Sequence, residues 1–238
     1  MPPVSESSPA RPRLLVSVRN ADEAALVCAS GADLVDAKDP DSGALGALPV
    51  AVVRAIVSRV GARVTTSAVA GEPDGDAALA VCVAAMAETG VDFVKVAVRP
   101  EQSDAALAAA AEAASGRLIG VLFAEDGVAL DILPRLAAVG FCGAMIDTRG
   151  KTGRRLGDWL SADRLAAFVT ACQTHGLLSG LAGSLRIEDV PALAAHEPGY
   201  LGFRGGLCRD GDRHDALEPV RVSAAVEALR TLGRRDAA

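Results

Sequence analysis

The chain has 238 residues, half of them apolar and 23% charged, enough for one large core or two small ones and far from the composition of a disordered chain. A formal charge of -6 and a pI near 5.1 give no general attraction to nucleic acid or to an anionic membrane, and 3% aromatic residues leave few rings for stacking on bases. Five cysteines without a CxxC pair imply neither a disulfide framework nor a metal site, and no leader or span-length apolar run is evident, so a soluble, cytoplasmic protein with reduced thiols is predicted.

Residues 1–12, MPPVSESSPARP, are rich in Pro and Ser and read as a flexible N-terminal tail ahead of a single domain over 13–238. From there the chain alternates between short apolar, β-branched runs and longer Ala/Leu/Val segments with charges at helical spacing. Strands are predicted over 14–18, 33–38, 63–68, 92–98, 117–123, 141–147, 177–182 and 200–204, the third (RVTTSA) being the most polar. The helical patterns between them include ADEAALVCASG, PVAVVRAIVSRVG, GDAALAVCVAAMAETG and SADRLAAFVTACQTHG. Six of these segments stop at a glycine: Gly31, Gly61, Gly90, Gly116, Gly140 and Gly176. Eight buried strands alternating with helices fit a single α/β (β/α)8 TIM barrel better than an open doubly wound sheet, and no GxGxxG follows the first strand.

Only Lys38, Lys95 and Lys151 among the 24 basic residues are lysines; the rest are arginines. Either residue serves as surface charge, but only a lysine amine can lose its proton and attack a carbonyl. Lys38 closes the second strand in DLVDAKDP, with Asp36 on the same face. Lys95 lies in the fourth strand, DFVKVAV. Asp147 closes the sixth in AMIDT, and Lys151 follows in its loop. Alternate strands of such a barrel supply one interior layer, so Asp36, Lys38, Lys95 and Asp147 are expected to cluster at the C-terminal mouth, where the chemistry of this fold sits. Burial and a neighbouring cation lower a lysine pKa, whereas a neighbouring carboxylate opposes this. The bland alternative for Asp36 and Lys38 is a simple ion pair with each other.

Two glycine loops then suggest phosphate. LAGSLRIEDV follows the seventh strand, with Gly183 permitting close backbone approach and Ser184 placed to cap the next helix. FRGGLCRDGDR follows the eighth, with Arg204, Gly205 and Gly206 at the strand end. These two loops are the usual phosphate site of a (β/α)8 barrel. The histidines are dispersed and no metal is expected; Trp159 reads as a packing residue.

DLVDAKDPDSGALGA, FVKV, MIDTRGKTG, LAGS and FRGGLCRDGDR, taken together and in order, resemble the (5-formylfuran-3-yl)methyl phosphate synthase family, also called 4-(hydroxymethyl)-2-furancarboxaldehyde-phosphate synthase. The resemblance implies a (β/α)8 lyase without cofactor. It would condense two molecules of glyceraldehyde 3-phosphate with loss of phosphate and water to close a furan ring, in biosynthesis of a methanofuran-type one-carbon carrier. It also implies catalytic roles for Asp36, Lys38, Lys95, Asp147 and Lys151, with Lys38 as the expected Schiff base and Lys95 the alternative. Another Schiff-base sugar-phosphate aldolase or isomerase shares these features, and a non-catalytic sugar-phosphate-binding barrel is the alternative of a different class. The expected partner is a phosphorylated triose, with neither nucleic acid nor membrane; a homo-oligomer is compatible with the sequence.

Overall fold

The structure, a computed structural model, describes residues 11–149 and 153–235. The first strands and helices are β1 (Arg13–Val18), α1 (Ala21–Ala29), β2 (Leu34–Ala37), α2 (Val50–Val60), β3 (Thr65–Val69), α3 (Asp76–Ala87), β4 (Phe93–Ala97) and α4 (Asp104–Ala113). They are followed by β5 (Leu118–Phe123), α5 (Ile132–Ala138), β6 (Gly143–Asp147), α6 (Leu156–Trp159), α7 (Ala162–Thr174), β7 (Leu178–Leu181), α8 (Val190–Ala194), β8 (Tyr200–Phe203) and α9 (Pro219–Arg235). The strands close in chain order, with β1 paired to both β2 and β8 and every pairing parallel. The eight predicted strands therefore form the predicted barrel. No helix of the described residues is long and apolar enough to cross a membrane.

Parallel strands in such a barrel are covered on both faces, which is why they read as continuous apolar runs. In β1, Leu14, Val16 and Val18 pack outward under the helices, while Leu15 belongs to the separate interior cluster with Leu34, Val69, Ile119, Val121, Met145 and Tyr200. The helices begin on side-chain caps where the sequence supplies them: Asn20 accepts from the Glu23 N–H, Ser103 from Ala106 and Ser161 from Arg164. All six predicted stop glycines take positive φ. Of the predicted tail, residues 1–10 lie outside the described residues; Arg11 forms a two-pronged pair with Asp33 at 2.8 and 2.9 Å.

The third strand departs from its predicted bounds, starting at Thr65 because Gly61–Arg63 form a 3-10 turn at the end of α2. Thr66 and Ser67 are nonetheless buried, because each has a partner. The Thr66 hydroxyl and N–H both donate to Asp92 Oδ2, at 2.9 and 2.7 Å, and Ser67 reaches Asp36.

Tyr200, fully enclosed in the barrel interior, has no acceptor for its hydroxyl among the described residues, and a Cβ at Gly180 would lie 2.2 Å from its Cζ. Burial pushes the phenol well above its usual pKa. Gly180→Ala is expected to cost about 1–3 kcal/mol through overpacking. Tyr200→Phe, which removes an unpaired polar atom, should leave stability unchanged or raise it slightly. Urea denaturation of the two variants checks both signs.

Candidate active site

Ladder register determines which side chains meet. Ser17 of β1 and Ser67 of β3 are the direct partners of Asp36 in β2, so all three face the interior side by side. Across alternate strands the stagger of a closed eight-stranded barrel brings side chains into shared layers. Leu34, Phe93 and Tyr200 belong to the lowest of these, Asp36, Lys95 and Met145 to the next, and Lys38, Ala97 and Asp147 to the mouth.

The ion pairs follow the layers. Lys95 Nζ lies 2.7 Å from Asp36 Oδ2, with side-chain exposures of 2% and 0%. Lys38 Nζ lies 3.1 Å from Asp147 Oδ2, with exposures of 13% and 10%, so this pair alone meets the solvent at the mouth. Asp36 and Lys38 do not pair with each other. Two residues along a strand separates them by about 6.6 Å and places them in different layers, where each finds its partner on another strand. The four predicted residues thus form one cluster built as two crossed pairs. Lys151 lies outside the described residues.

Asp36 is held by more than Lys95. Ser67 Oγ donates to its Oδ1 at 2.6 Å and Ser17 Oγ to its Oδ2 at 3.0 Å, so a fully buried carboxylate has three donors. Asp147 is held at its other oxygen by the Thr148 N–H at 2.8 Å. Ser17 and Ser67 went unnoticed in the sequence. The available signal was a single hydroxyl interrupting an apolar run (LLVSV) at an inward position. Burial pushes the Lys95 pKa down; the Asp36 carboxylate opposes this, and the nearby Lys38 charge adds to it.

Above these pairs lies a cavity of about 380 Å³ lined by Lys38, Lys95, Asp36 and Asp147 and by both glycine loops. Gly183 (φ +117) and Ser184 (φ +50) turn the first loop sharply, and a Cβ at Gly183 would sit 2.6 Å from Thr148 Cγ2. Gly206 packs so closely on the other loop that a Cβ would lie 2.2 Å from the Leu185 carbonyl oxygen. Among the described residues no acceptor takes the N–H groups of Gly183, Ser184, Gly205 or Gly206. All four residues line the cavity, and unengaged backbone N–H groups suit an anion. Ser184 does not cap the following helix, whose N-cap is Arg186, and the short 3-10 turn and α8 are not a phosphate-binding helix start. Arg204 also differs from expectation. Its guanidinium turns away to Glu23 of α1 and to the carbonyls of Ser17, Arg213 and Asp215, so Arg204 itself does not present its charge to the cavity. Trp159 is partly buried against the core, with the Arg154 guanidinium 3.7 Å over its ring.

Lys95→Met leaves Asp36 buried without its counter-charge and is expected to cost about 3–5 kcal/mol, most of it recovered in Asp36→Asn/Lys95→Met. Between the lowered pKa of Lys95 and 10.5 the unfolded chain holds a proton that the folded chain lacks. The stability of wild type relative to the double variant must therefore rise with pH through that window. Chemical denaturation of all three proteins across the range measures both effects; a flat difference contradicts the lowered pKa.

The profile of the family described as 4-HFC-P synthase matches residues 14–226. A Methylorubrum extorquens protein provisionally named (5-formylfuran-3-yl)methyl phosphate synthase is 62% identical over 231 residues, covering 97% of each chain. The Methanopyrus kandleri protein of the same name is 35% identical, over 92% of this chain and 99% of its own. The Methanosarcina acetivorans protein is 32% identical, over 90% and 97%. Among solved structures, the 3-hexulose-6-phosphate synthase of Salmonella typhimurium superposes with a TM-score of 0.68 at 15% identity, over 92% of this chain and 99% of its own. Phosphoribosyl anthranilate isomerase of Thermus thermophilus does so with 0.65 at 17%, over 92% and 99%. At such identities these two report the barrel alone. The profile and the full-length relatives go further: the chain is an enzyme of the 4-HFC-P synthase family.

Proposed function

We propose that this enzyme is a lyase that condenses two molecules of glyceraldehyde 3-phosphate into (5-formylfuran-3-yl)methyl phosphate, through a Schiff base on Lys38, for a methanofuran-type one-carbon carrier. Atom balance over two trioses requires the loss of one phosphate and two waters. The observation that carries the reading is the pair of crossed Lys–Asp contacts at the base of a cavity walled by the two glycine loops.

The two lysines suit different tasks. Lys38 is the amine at the mouth, where an aldehyde can approach it, and Asp147 is placed to take its proton. Attack on the carbonyl with loss of water gives an imine. Removal of a proton from the adjacent carbon gives an enamine, whose carbon adds to the carbonyl of the second triose. Lys95, enclosed beneath with a lowered pKa, gives up its proton more readily than an ordinary lysine. Asp36 fixes it in place. Lys151 is assigned to proton transfer from the family resemblance. Gly183, Ser184, Gly205 and Gly206 hold a phosphate by their N–H groups, with Arg204 bracing the loop. The proteins in which this reaction runs are taken to be cytoplasmic, where triose phosphates are made.

Incubation with glyceraldehyde 3-phosphate and borohydride, followed by peptide mass analysis, should place the reduced adduct on Lys38, and Lys38→Arg should lose both the adduct and the furan-aldehyde absorbance. An adduct on Lys95, or turnover with Lys38 replaced, would overturn the assignment.

A further inference from the structure

Most of the cations that line the cavity are already paired. Lys38 pairs with Asp147, Lys95 with Asp36, Arg155 with Asp189 and Arg204 with Glu23. Among the described residues, only the guanidinium groups of Arg186 and Arg213 line it without a carboxylate within ion-pair distance. Arg213 is set apart by its geometry. Its Cβ lies beside Gly205, 3.6 Å from where a Cβ on that glycine would stand, and Arg204 Nε holds its carbonyl at 3.0 Å. From there the side chain crosses the mouth to the loop that follows Lys38, where Nη2 donates to the Gly43 carbonyl at 2.6 Å. Its Nε–H is enclosed and has no acceptor, and Nη1 takes none either. The nearby Asp39 does not satisfy it, being engaged by the Ser42 hydroxyl at 2.5 Å and the Asp41 N–H at 3.0 Å.

A guanidinium fixed at both ends, lining the cavity with Nη1 unengaged among the described residues, is a preformed receptor for a planar or tetrahedral oxyanion. We propose that Arg213 anchors a second phosphate subsite, separate from the glycine cradle and on the Lys38 side of the mouth, for the phosphate of the second triose. This rests on the two-triose reading above. Two dianions in one mouth need separate counter-charges. The cradle of backbone N–H groups provides one site at the ends of β7 and β8, while Arg213 carries positive charge across to the end of β2.

Titration of the full-length protein with inorganic phosphate, followed by calorimetry and 31P NMR, separates this inference from the catalytic one because it needs no turnover. Wild type should bind two phosphates, and Arg213→Gln one. Arg213→Lys should restore the second site more weakly. With glyceraldehyde 3-phosphate, Arg213→Gln should raise the half-saturating concentration by about 10- to 100-fold, the worth of a charged hydrogen bond, while borohydride trapping on Lys38 persists. One phosphate bound by wild type, or two by Arg213→Gln, would overturn the proposal. If the Gln variant does not fold, a second site of unchanged affinity in Arg213→Lys overturns it equally.

Discussion

A lysine and an aspartate, buried together in the middle of a barrel, set the terms for everything above them. The side chains of Lys95 and Asp36 are only 2% and 0% exposed, so bulk water does little to solvate either charge. Such a pair is held only where further donors satisfy the remaining lone pairs, and Ser17 and Ser67 do so from the strands on either side. The arrangement depends on register. A slip of one residue in β2 would turn Asp36 outward into the apolar layer beneath the helices and strand Lys95 in the interior. The barrel and the site are thus one construction: the ladder that closes the sheet also delivers each polar atom to its partner.

Above that fixed base, the mouth separates roles by depth and by side. Lys38 and Asp147 stand partly exposed at the mouth, above the enclosed pair. On one side, glycines allow two loops to approach so closely that a single methyl group would collide with the opposite backbone. Arg204 braces this side from behind by joining the end of β8 to α1 through Glu23. On the other, Arg213 and His214 tie the loop after β8 to the loop after β2, at Gly43 and Asp41.

Most of the fold was legible because parallel strands buried on both faces leave long apolar runs, and because glycines mark the helix ends that need positive φ. The lysines were legible for a chemical reason: they are rare, and each falls in or shortly after a predicted strand. What could not be read was pairing. Alternation along β2 shows that Asp36 and Lys38 share a face, but only the stagger between strands reveals that each pairs elsewhere. The third strand reads as the most polar because the partners that bury it are remote in sequence: Asp36 lies on β2 and Asp92 just before β4. Arg204 stood next to two glycines at the right strand end, yet nothing local indicates that Glu23, 181 residues away in sequence, claims its guanidinium. Arg213 was hidden for the converse reason: a residue with unmet donors has no signature until its surroundings are known.

The scarcity of lysine offers the most direct test. Protein labelled with 13C at lysine Cε gives one resonance per lysine, and Lys95→Met assigns the buried one. Titrated with pH, that resonance should turn below 10.5, the value of an unperturbed lysine. If it titrates at that value or above, Lys95 is an ordinary ammonium locked to Asp36, and the division of labour between the two lysines fails.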